Sequence, residues 1–328
     1  MGNNFLAGIN KRMQSGILYK TATNEFRERW INYIYGLQDT ICKALQEADG
    51  KHVFATDKWQ REEGNGGGGI TRTIANGNII EKGGVNTSVV FGKVTEKMRV
   101  QLQMEGSKWF ACGLSLVIHP LNPYIPTVHA NWRYFELYDE KDEVVDRWFG
   151  GGTDLTPYYL FEEDAIHFHR TLKNAIDPFG EELYPAYKKE CDHYFCNKHR
   201  DNERRGIGGV FYDHLRPADE VDAERLVKFQ QANGHAFLES YLPIVRKRKQ
   251  TPYTTRETEW QEIRRGRYAE FNLIHDRGTL FGLRTGGRTE SILMSLPPRV
   301  IWRYNYLPVP GTEEDKLLQH CLHPKDWV

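Results

Sequence analysis

Apolar residues recur every three or four positions in four stretches of the chain, which is the spacing of a helix that buries one face. Helices are predicted on this basis at residues 24–48, 161–176, 183–198 and 219–241. Gly50 follows the first stretch and Pro243 the last, and both are typical helix stop signals. We therefore expect four amphipathic helices that pack against a shared core.

Alternating apolar and polar residues, bounded by turn residues, predict strands elsewhere. Strands are expected at 71–75, 85–91, 113–119, 127–137, 268–275, 280–284 and 289–296. The third and fourth should form a hairpin through a proline-rich connection, and Gly286-Gly287 is typical of a hairpin turn between the last two. The run Gly64 to Gly69 lacks the Lys-Ser/Thr of a phosphate loop, so a flexible loop or lid is expected there.

Because the strands cluster in hairpins and are not interleaved with helices, the predicted class is α+β. We expect one large, flat, mainly antiparallel sheet flanked by helices on both faces. No repeat or linker composition divides the chain, so residues 1–328 should form a single domain, with 1–20 as a loosely ordered N-terminal arm.

Composition excludes several classes of protein. The 44 basic and 44 acidic residues cancel, so no overall field attracts nucleic acid or an anionic membrane. No stretch approaches the roughly 20 apolar residues of a membrane span. The N-terminus lacks the apolar run of a secretory signal, and the five cysteines are odd in number and scattered. We therefore expect a cytoplasmic protein with reduced thiols.

The strand at 127–137 carries the first candidate chemistry. Alternate residues of a strand share a face, so His129, Asn131 and Arg133 should lie together. On the partner strand, Ser115 and His119 share a face in the same way. The hairpin would then present five polar side chains as one stripe, which suits a functional site as well as a solvated sheet face.

Three glycines at 150–152 precede Asp154, and Pro157 follows it. The glycines would allow a ligand to approach the backbone closely. Asp154 is expected just before a helix, where a carboxylate is often an N-cap. The sequence leaves open whether Asp154 is a cap or a catalytic carboxylate.

Two further regions could bind ions. His167 and His169 would point some 200° apart on a helix, so they cannot share one metal ion. Residues 246–267 hold eight basic and three acidic side chains, which could contact a nucleic acid, a second subunit or carboxylates. Arg288 follows a glycine turn and is well placed for a bidentate grip on a carboxylate.

Read together, these segments resemble the oxygen-dependent coproporphyrinogen oxidase family. The matching stretches are EKGGVN (81–86), GLSLVIHP (113–120), PTVHANWR (126–133), WFGGGTDLTP (148–157), RGIGGVF (205–211), RRGRYAEFN (264–272) and TGGRTESILMSLPP (285–298). They run in order from about residue 30 to the C-terminus. A resemblance of this length and order is specific.

The resemblance implies an enzyme that uses O2 to convert two propionates of coproporphyrinogen III into vinyl groups, giving protoporphyrinogen IX, CO2 and H2O2. It implies His129 and Asp154 as catalytic residues, with the proton-handling role open between them. The implied substrate contacts are Ser115, Asn131, Trp132, Arg133, Gly286, Gly287 and Arg288. No cofactor is required. The resemblance also implies a homodimer with its interface within residues 268–298.

Two alternatives remain at this stage. His119, His129, His169 and His199 match positions suggested as metal ligands in bacterial relatives, which would make the protein a metal-dependent oxygenase. The basic residues at 246–267 would instead make it an RNA-binding protein, with affinity that depends strongly on salt. The order of the two decarboxylations, the O2 site and the loop that closes over the substrate are not predicted.

Overall fold

The computed structural model describes residues 23–61, 65–102, 105–284 and 287–328. Over these ranges the chain forms one seven-stranded sheet and a two-stranded ribbon. The strands are β1 (Ala55–Gln60), β2 (Asn65–Ala75), β3 (Ile80–Lys93), β4 (Lys108–Pro120), β5 (Thr127–Tyr138), β6 (Val144–Thr156), β7 (Cys196–Asn197), β8 (Glu203–Arg204) and β9 (Gly209–Leu215). In the large sheet the order is β1-β2-β3-β4-β5-β6-β9, with every neighbouring pair antiparallel.

The helices are α1 (Thr23–Asp49), α2 (Glu96–Leu102), α3 (Glu162–Ile176), α4 (Leu183–Tyr194), α5 (Glu220–Arg248), α6 (Thr255–Ile274), α7 (Arg277–Arg284), α8 (Thr289–Leu293) and α9 (Glu313–Leu322). They lie on both faces of the sheet, and the α+β class is confirmed. Across the described ranges, no helix is both long and apolar enough to cross a membrane. All five cysteines are buried and unpaired.

Two predicted helix ends are wrong. The helix at 183–198 ends earlier, at Tyr194, because Cys196 and Asn197 pair with β8. The helix at 219–241 continues through Pro243 to Arg248. Ile244 and Val245 are buried beyond the proline, so packing keeps the last turns helical.

The predicted strands of the C-terminal third are also wrong, since 268–275, 280–284 and 289–296 fall in or beside α6, α7 and α8. A capping box at Thr254 and Glu257 starts α6, and this sequence signal was missed. Gly287 donates its N–H to the Gly282 carbonyl at 2.7 Å, which links α7 to the segment before α8. Gly286 lies outside the described residues.

The glycine-rich run is not a loop over residues 65–69, which belong to β2. A Cβ on Gly69 would lie 2.6 Å from the Trp59 ring, and one on Gly66 would lie 2.1 Å from the Phe91 ring. These glycines therefore leave room for aromatic side chains of the neighbouring strands to pack directly against β2. Gly64 lies outside the described residues.

The two faces of the sheet differ in polarity. One face buries Val85, Leu116 and Trp132 against α1, α3 and α5. Gln38 of α1 donates to the Ile70 and Val85 carbonyls, at 2.9 and 2.8 Å, which fixes the helix on this face. The opposite face is polar, and α6 and α8 cover only part of it.

Candidate active site

One row of positions in register crosses the polar face from β1 to β6. Register places it, in strand order, at Asp57, Thr71, Asn86, Ser115, Asn131 and Gly152. His129 and Arg133 lie on the same face of β5 as Asn131, because they come two residues before and two residues after it. The predicted hairpin and its polar stripe are therefore present, and Ser115 in its middle is exposed.

Asp154 lies within β6 and not at a helix cap, because α3 begins only at Glu162. It sits directly opposite His129 across the β5–β6 ladder. His129 Nδ1 is 2.7 Å from Asp154 Oδ1. Arg205 Nη2 donates to both carboxylate oxygens, at 2.8 and 2.7 Å. The result is a buried chain of three side chains that ends at the open face.

Electrostatics keep Asp154 ionised. Burial alone would raise its pKa, because the side chain is 2% exposed, but the Arg205 charge and the His129 hydrogen bond outweigh burial and lower the pKa below its ordinary value. An ionised carboxylate can only accept, so His129 carries its proton on Nδ1. When the ring is neutral, His129 Nε2 is the acceptor, 3.3 Å from Asn131 Nδ2.

Arg205 was missed by sequence reasoning, although it begins the RGIGGVF segment. Its guanidinium lies 4.1 Å from the Phe195 ring centroid and 4.6 Å from that of Tyr268. Its Nη1 donates to Asn272 Oδ1 at 2.8 Å. Aromatic walls and an ion pair together hold a charge that would otherwise be costly to bury. No periodic pattern in the sequence signals such a contact.

Arg133 is the cation of the open face, with 34% of its side chain exposed. In register it lies between Gly113 of β4 and Gly150 of β6, and a Cβ on Gly150 would come within 3.1 Å of Arg133 Nη2. Its Nε and Nη2 are themselves buried and have no hydrogen-bond partner among the described residues. The nearest carboxylate, Asp213, is 3.5 Å from Nη2. Arg133 can therefore still bind a carboxylate.

Arg288 is already paired. It forms an ion pair with Asp57 and donates from Nη1 to Ser291 Oγ at 3.3 Å. Ser291 Oγ is in turn 2.8 Å from Thr71 Oγ1, so this segment covers the β1–β3 half of the polar face. Of the other predicted contacts, the Trp132 side chain lies on the opposite, apolar face against Phe237.

The four suggested metal ligands lie in four separate surroundings. His119 is fully buried, with Nδ1 3.1 Å from Thr127 Oγ1 and Nε2 2.9 Å from the Ser295 carbonyl. A carbonyl only accepts, so Nε2 must carry the proton while Nδ1 accepts from the threonine. Burial and the Arg265 charge hold the pKa of His119 well below its ordinary value. No lone pair of this ring is free for a metal.

Both ring nitrogens of His169 also have hydrogen-bond partners within the fold. It is fully buried, its Nε2 donates to the Ile207 carbonyl at 3.1 Å, and its Nδ1 is 2.8 Å from the Tyr184 hydroxyl. Burial lowers its pKa to about 3. His199 lies between His275 and Glu270, at 2.8 and 2.9 Å. In the parts of the chain that the structure describes, no three His, Cys, Asp or Glu side chains are grouped to hold a metal ion.

The basic residues at 246–267 do not form a continuous surface. Arg264 and Arg265 are 3% and 0% exposed, with ion pairs to Glu203 and Glu81. Arg248 pairs with Asp164 across to α3. These arginines tie helices to the rest of the fold, so the RNA-binding alternative loses the patch on which it rested.

The comparison with known families concerns the chain as a whole. The family model described as coproporphyrinogen III oxidase matches residues 29–327, which is nearly the whole chain. The match covers every strand of the sheet and every residue of the His129, Asp154 and Arg205 chain. The protein therefore belongs to the coproporphyrinogen III oxidase family, whose members are oxidoreductases that decarboxylate coproporphyrinogen III in haem biosynthesis.

Proposed function

We propose that coproporphyrinogen III binds on the open polar face around Ser115, Asn131 and Arg133. The observation that carries this proposal is that small residues line the middle of this face. Glycines or Ser115 flank Asn131 and Arg133 on both neighbouring strands, so few side chains stand above the backbone. A wide macrocycle can approach such a floor closely, and the flanking polar groups can reach its edges.

Arg133 anchors a propionate in this proposal. A guanidinium can hold a carboxylate through two parallel hydrogen bonds, and two nitrogens of Arg133 lack partners. Arg288 reaches a second carboxylate only by leaving Asp57, so it would exchange one carboxylate for another. Gly287 and Arg288 would border the substrate from the β3 side, and Gly286, which lies outside the described residues, stays a predicted contact.

His129 handles the proton in the proposed reaction, and Asp154 acts through it. Both Asp154 oxygens are already bonded to His129 and Arg205, so a direct bond to a pyrrole N–H would require breaking this arrangement. In the neutral ring with its proton on Nδ1, His129 Nε2 carries no proton, and it lies 3.3 Å from Asn131 Nδ2. It can accept a proton from the substrate and return it, while the ionised carboxylate stabilises the imidazolium that forms.

The overall conversion balances without an organic cofactor. Each propionate loses CO2 and two hydrogens to become a vinyl group, and one O2 takes up those two hydrogens as H2O2. Two rounds give protoporphyrinogen IX. The two electrons that reduce each O2 come from the propionate that is oxidised, and the ring is still a porphyrinogen in the product, so the protein has to bind and orient the substrate and move protons.

Two further properties belong to the proposal. A homodimer with its interface within 268–298 is supported by the apolar side chains of Leu273, Ile274 and Leu283, which are 43%, 53% and 39% exposed in one subunit. A cytoplasmic location is supported by five unpaired thiols.

The direct test is incubation of the protein with coproporphyrinogen III, with and without air, after treatment with a chelator and metal analysis. We expect vinyl product and CO2 in air only, with one H2O2 per CO2. Activity that disappears with the metal and returns on its addition would support a metal-dependent oxygenase instead. No product in any condition would overturn the proposed function.

A further inference from the structure

Two buried amide oxygens on the polar face have no hydrogen-bond partner among the described residues. They are Asn86 Oδ1 on β3 and Asn131 Oδ1 on β5. Asn131 is 8% exposed, and Asn86 is half-buried. A buried acceptor without a donor is unfavourable unless a ligand supplies the donor. Both atoms lie beside the exposed Ser115 of β4.

In each asparagine, the contact made by the amide nitrogen fixes the orientation of the side-chain amide. Asn86 Nδ2 donates to the Ser291 carbonyl at 2.8 Å, and a carbonyl cannot accept from an oxygen. Asn131 Nδ2 lies 3.3 Å from His129 Nε2, which accepts when the ring is neutral and its one proton is on Nδ1. A flip of either amide would place two acceptors together. Both oxygens are therefore held as acceptors.

Register places these acceptors symmetrically. Asn86 pairs with Ser115, and Ser115 pairs with Asn131, so the three residues lie at one level on consecutive strands. Neighbouring strands are about 4.8 Å apart, so the two asparagine backbones are roughly 10 Å apart with Ser115 between them. The site thus offers acceptors on both sides of an exposed small residue, in the area where the macrocycle is proposed to lie.

We propose that the amide oxygens of Asn86 and Asn131 accept hydrogen bonds from pyrrole N–H groups and thereby select the reduced macrocycle over the oxidised porphyrin. This inference rests on the proposed function. A porphyrinogen carries four N–H donors, whereas a porphyrin carries two N–H groups and two bare nitrogens. The sp³ meso carbons of the porphyrinogen also let its pyrrole rings tilt, so that N–H groups can point out of the mean plane toward acceptors on one side. In the flat porphyrin the N–H groups point to the ring centre and cannot reach those acceptors, so the same site disfavours the porphyrin.

Carboxylate recognition cannot produce this selection. Coproporphyrinogen III and coproporphyrin III carry the same four propionates, so a contact from Arg133 strengthens the binding of both. Any difference between the two ligands has to come from groups that meet the ring centre. Asn86 and Asn131 are suited to this role, and Asn86 was not among the substrate contacts expected from the sequence.

The test measures the affinity of both macrocycles without air, so that the substrate is not consumed. Dissociation constants are determined for wild type, Asn86→Ala and Arg133→Met, with Thr71→Val as a matched control. Thr71 lies in the same row and also contacts Ser291, but is not a proposed acceptor. Loss of one such hydrogen bond corresponds to about a 10-fold change in affinity.

We expect Asn86→Ala to weaken coproporphyrinogen III about 10-fold with little change for coproporphyrin III. Arg133→Met should weaken both ligands equally, and Thr71→Val should leave their ratio unchanged. An Asn86→Ala protein that keeps the wild-type ratio overturns the inference. If that variant does not fold, Asn131→Ala decides the question by the same ratio. Wild-type protein that binds neither macrocycle contradicts the proposed function itself.

Discussion

Glu136 and Asp154 are both buried carboxylates paired with buried arginines, yet they lie on opposite faces of one sheet. Glu136 is fully buried on the apolar face and accepts from Arg27 Nε at 2.6 Å. Asp154 is 2% exposed on the polar face and accepts from Arg205. The two ion pairs are similar in burial and geometry, so their different roles must come from the remaining partners.

The remaining hydrogen-bond partners distinguish the Glu136 pair from the Asp154 pair. Glu136 also accepts from the hydroxyls of Tyr134 and Tyr138, and these rings seal it from solvent. Burial raises the pKa of Glu136 above its ordinary value, against the opposing effect of the Arg27 charge. Asp154 instead bonds to His129, whose second nitrogen reaches the open face. One pair fixes α1 to the sheet, while the other is linked to His129, a residue of the proposed substrate site.

Asp154→Asn should give the largest effect on activity. The amide cannot hold the Nδ1 proton of His129 as a carboxylate does, and Arg205 loses its counter-charge. Turnover should fall by roughly 10²–10⁴-fold while KM changes little, because the substrate contacts remain. Steady-state kinetics on the folded variant measure this.

The same substitution should lower the free energy of unfolding by about 3–5 kcal/mol, since it leaves Arg205 buried without a charge partner. Denaturant unfolding of wild type and variant provides the comparison. A variant with near-normal turnover would show that Asp154 serves only the fold, as Glu136 does.

Glu136→Gln should leave activity unchanged and should cost less stability than Asp154→Asn. Burial outweighs the Arg27 charge and holds the pKa of Glu136 above its ordinary value, so a neutral amide can replace this carboxylate at little cost. The polar face is on the other side of the sheet, so kcat and KM of the folded variant should match wild type. Reduced turnover in a protein that is still fully folded at the assay temperature would contradict the separation of the two faces.

The sequence predicted the polar face well because strand alternation is a local property. His129, Asn131 and Arg133 could be placed on one face without knowledge of the rest of the fold. The register across β3, β4 and β5 then follows from the pairing, and Asn86 becomes visible only once that pairing is known. A residue's neighbours on adjacent strands are not encoded in its own segment.

The C-terminal third was harder to predict because tertiary contacts decide it. Residues 268–275 are rich in aromatic and branched side chains, which favour strands, but α6 is buried on several sides and tolerates them. Arg205 was missed for a related reason. Its function depends on an aspartate 51 positions away and on rings from α6, and no spacing rule connects these residues.

The smallest expected effect is in the pH dependence of stability, where the two carboxylates should have opposite signs. Asp154 has a lowered folded-state pKa, so its contribution is present above the unfolded value of about 3.8 and is lost as the pH falls through the folded value. Glu136 has a raised folded-state pKa, so its contribution is present below about 4.5 and is lost as the pH rises through the folded value.

The stability difference between wild type and Asp154→Asn should therefore grow as the pH rises from the acid end, whereas that for Glu136→Gln should shrink above about pH 4.5. Each unit of pKa shift corresponds to about 1.4 kcal/mol. Urea unfolding at constant ionic strength over this pH range measures both curves. If both stability differences change with pH in the same direction, the two buried pairs do not differ in the way that their third partners indicate. The balance between burial and hydrogen bonding sets the direction of each pKa shift, so opposite shifts require opposite pH dependences.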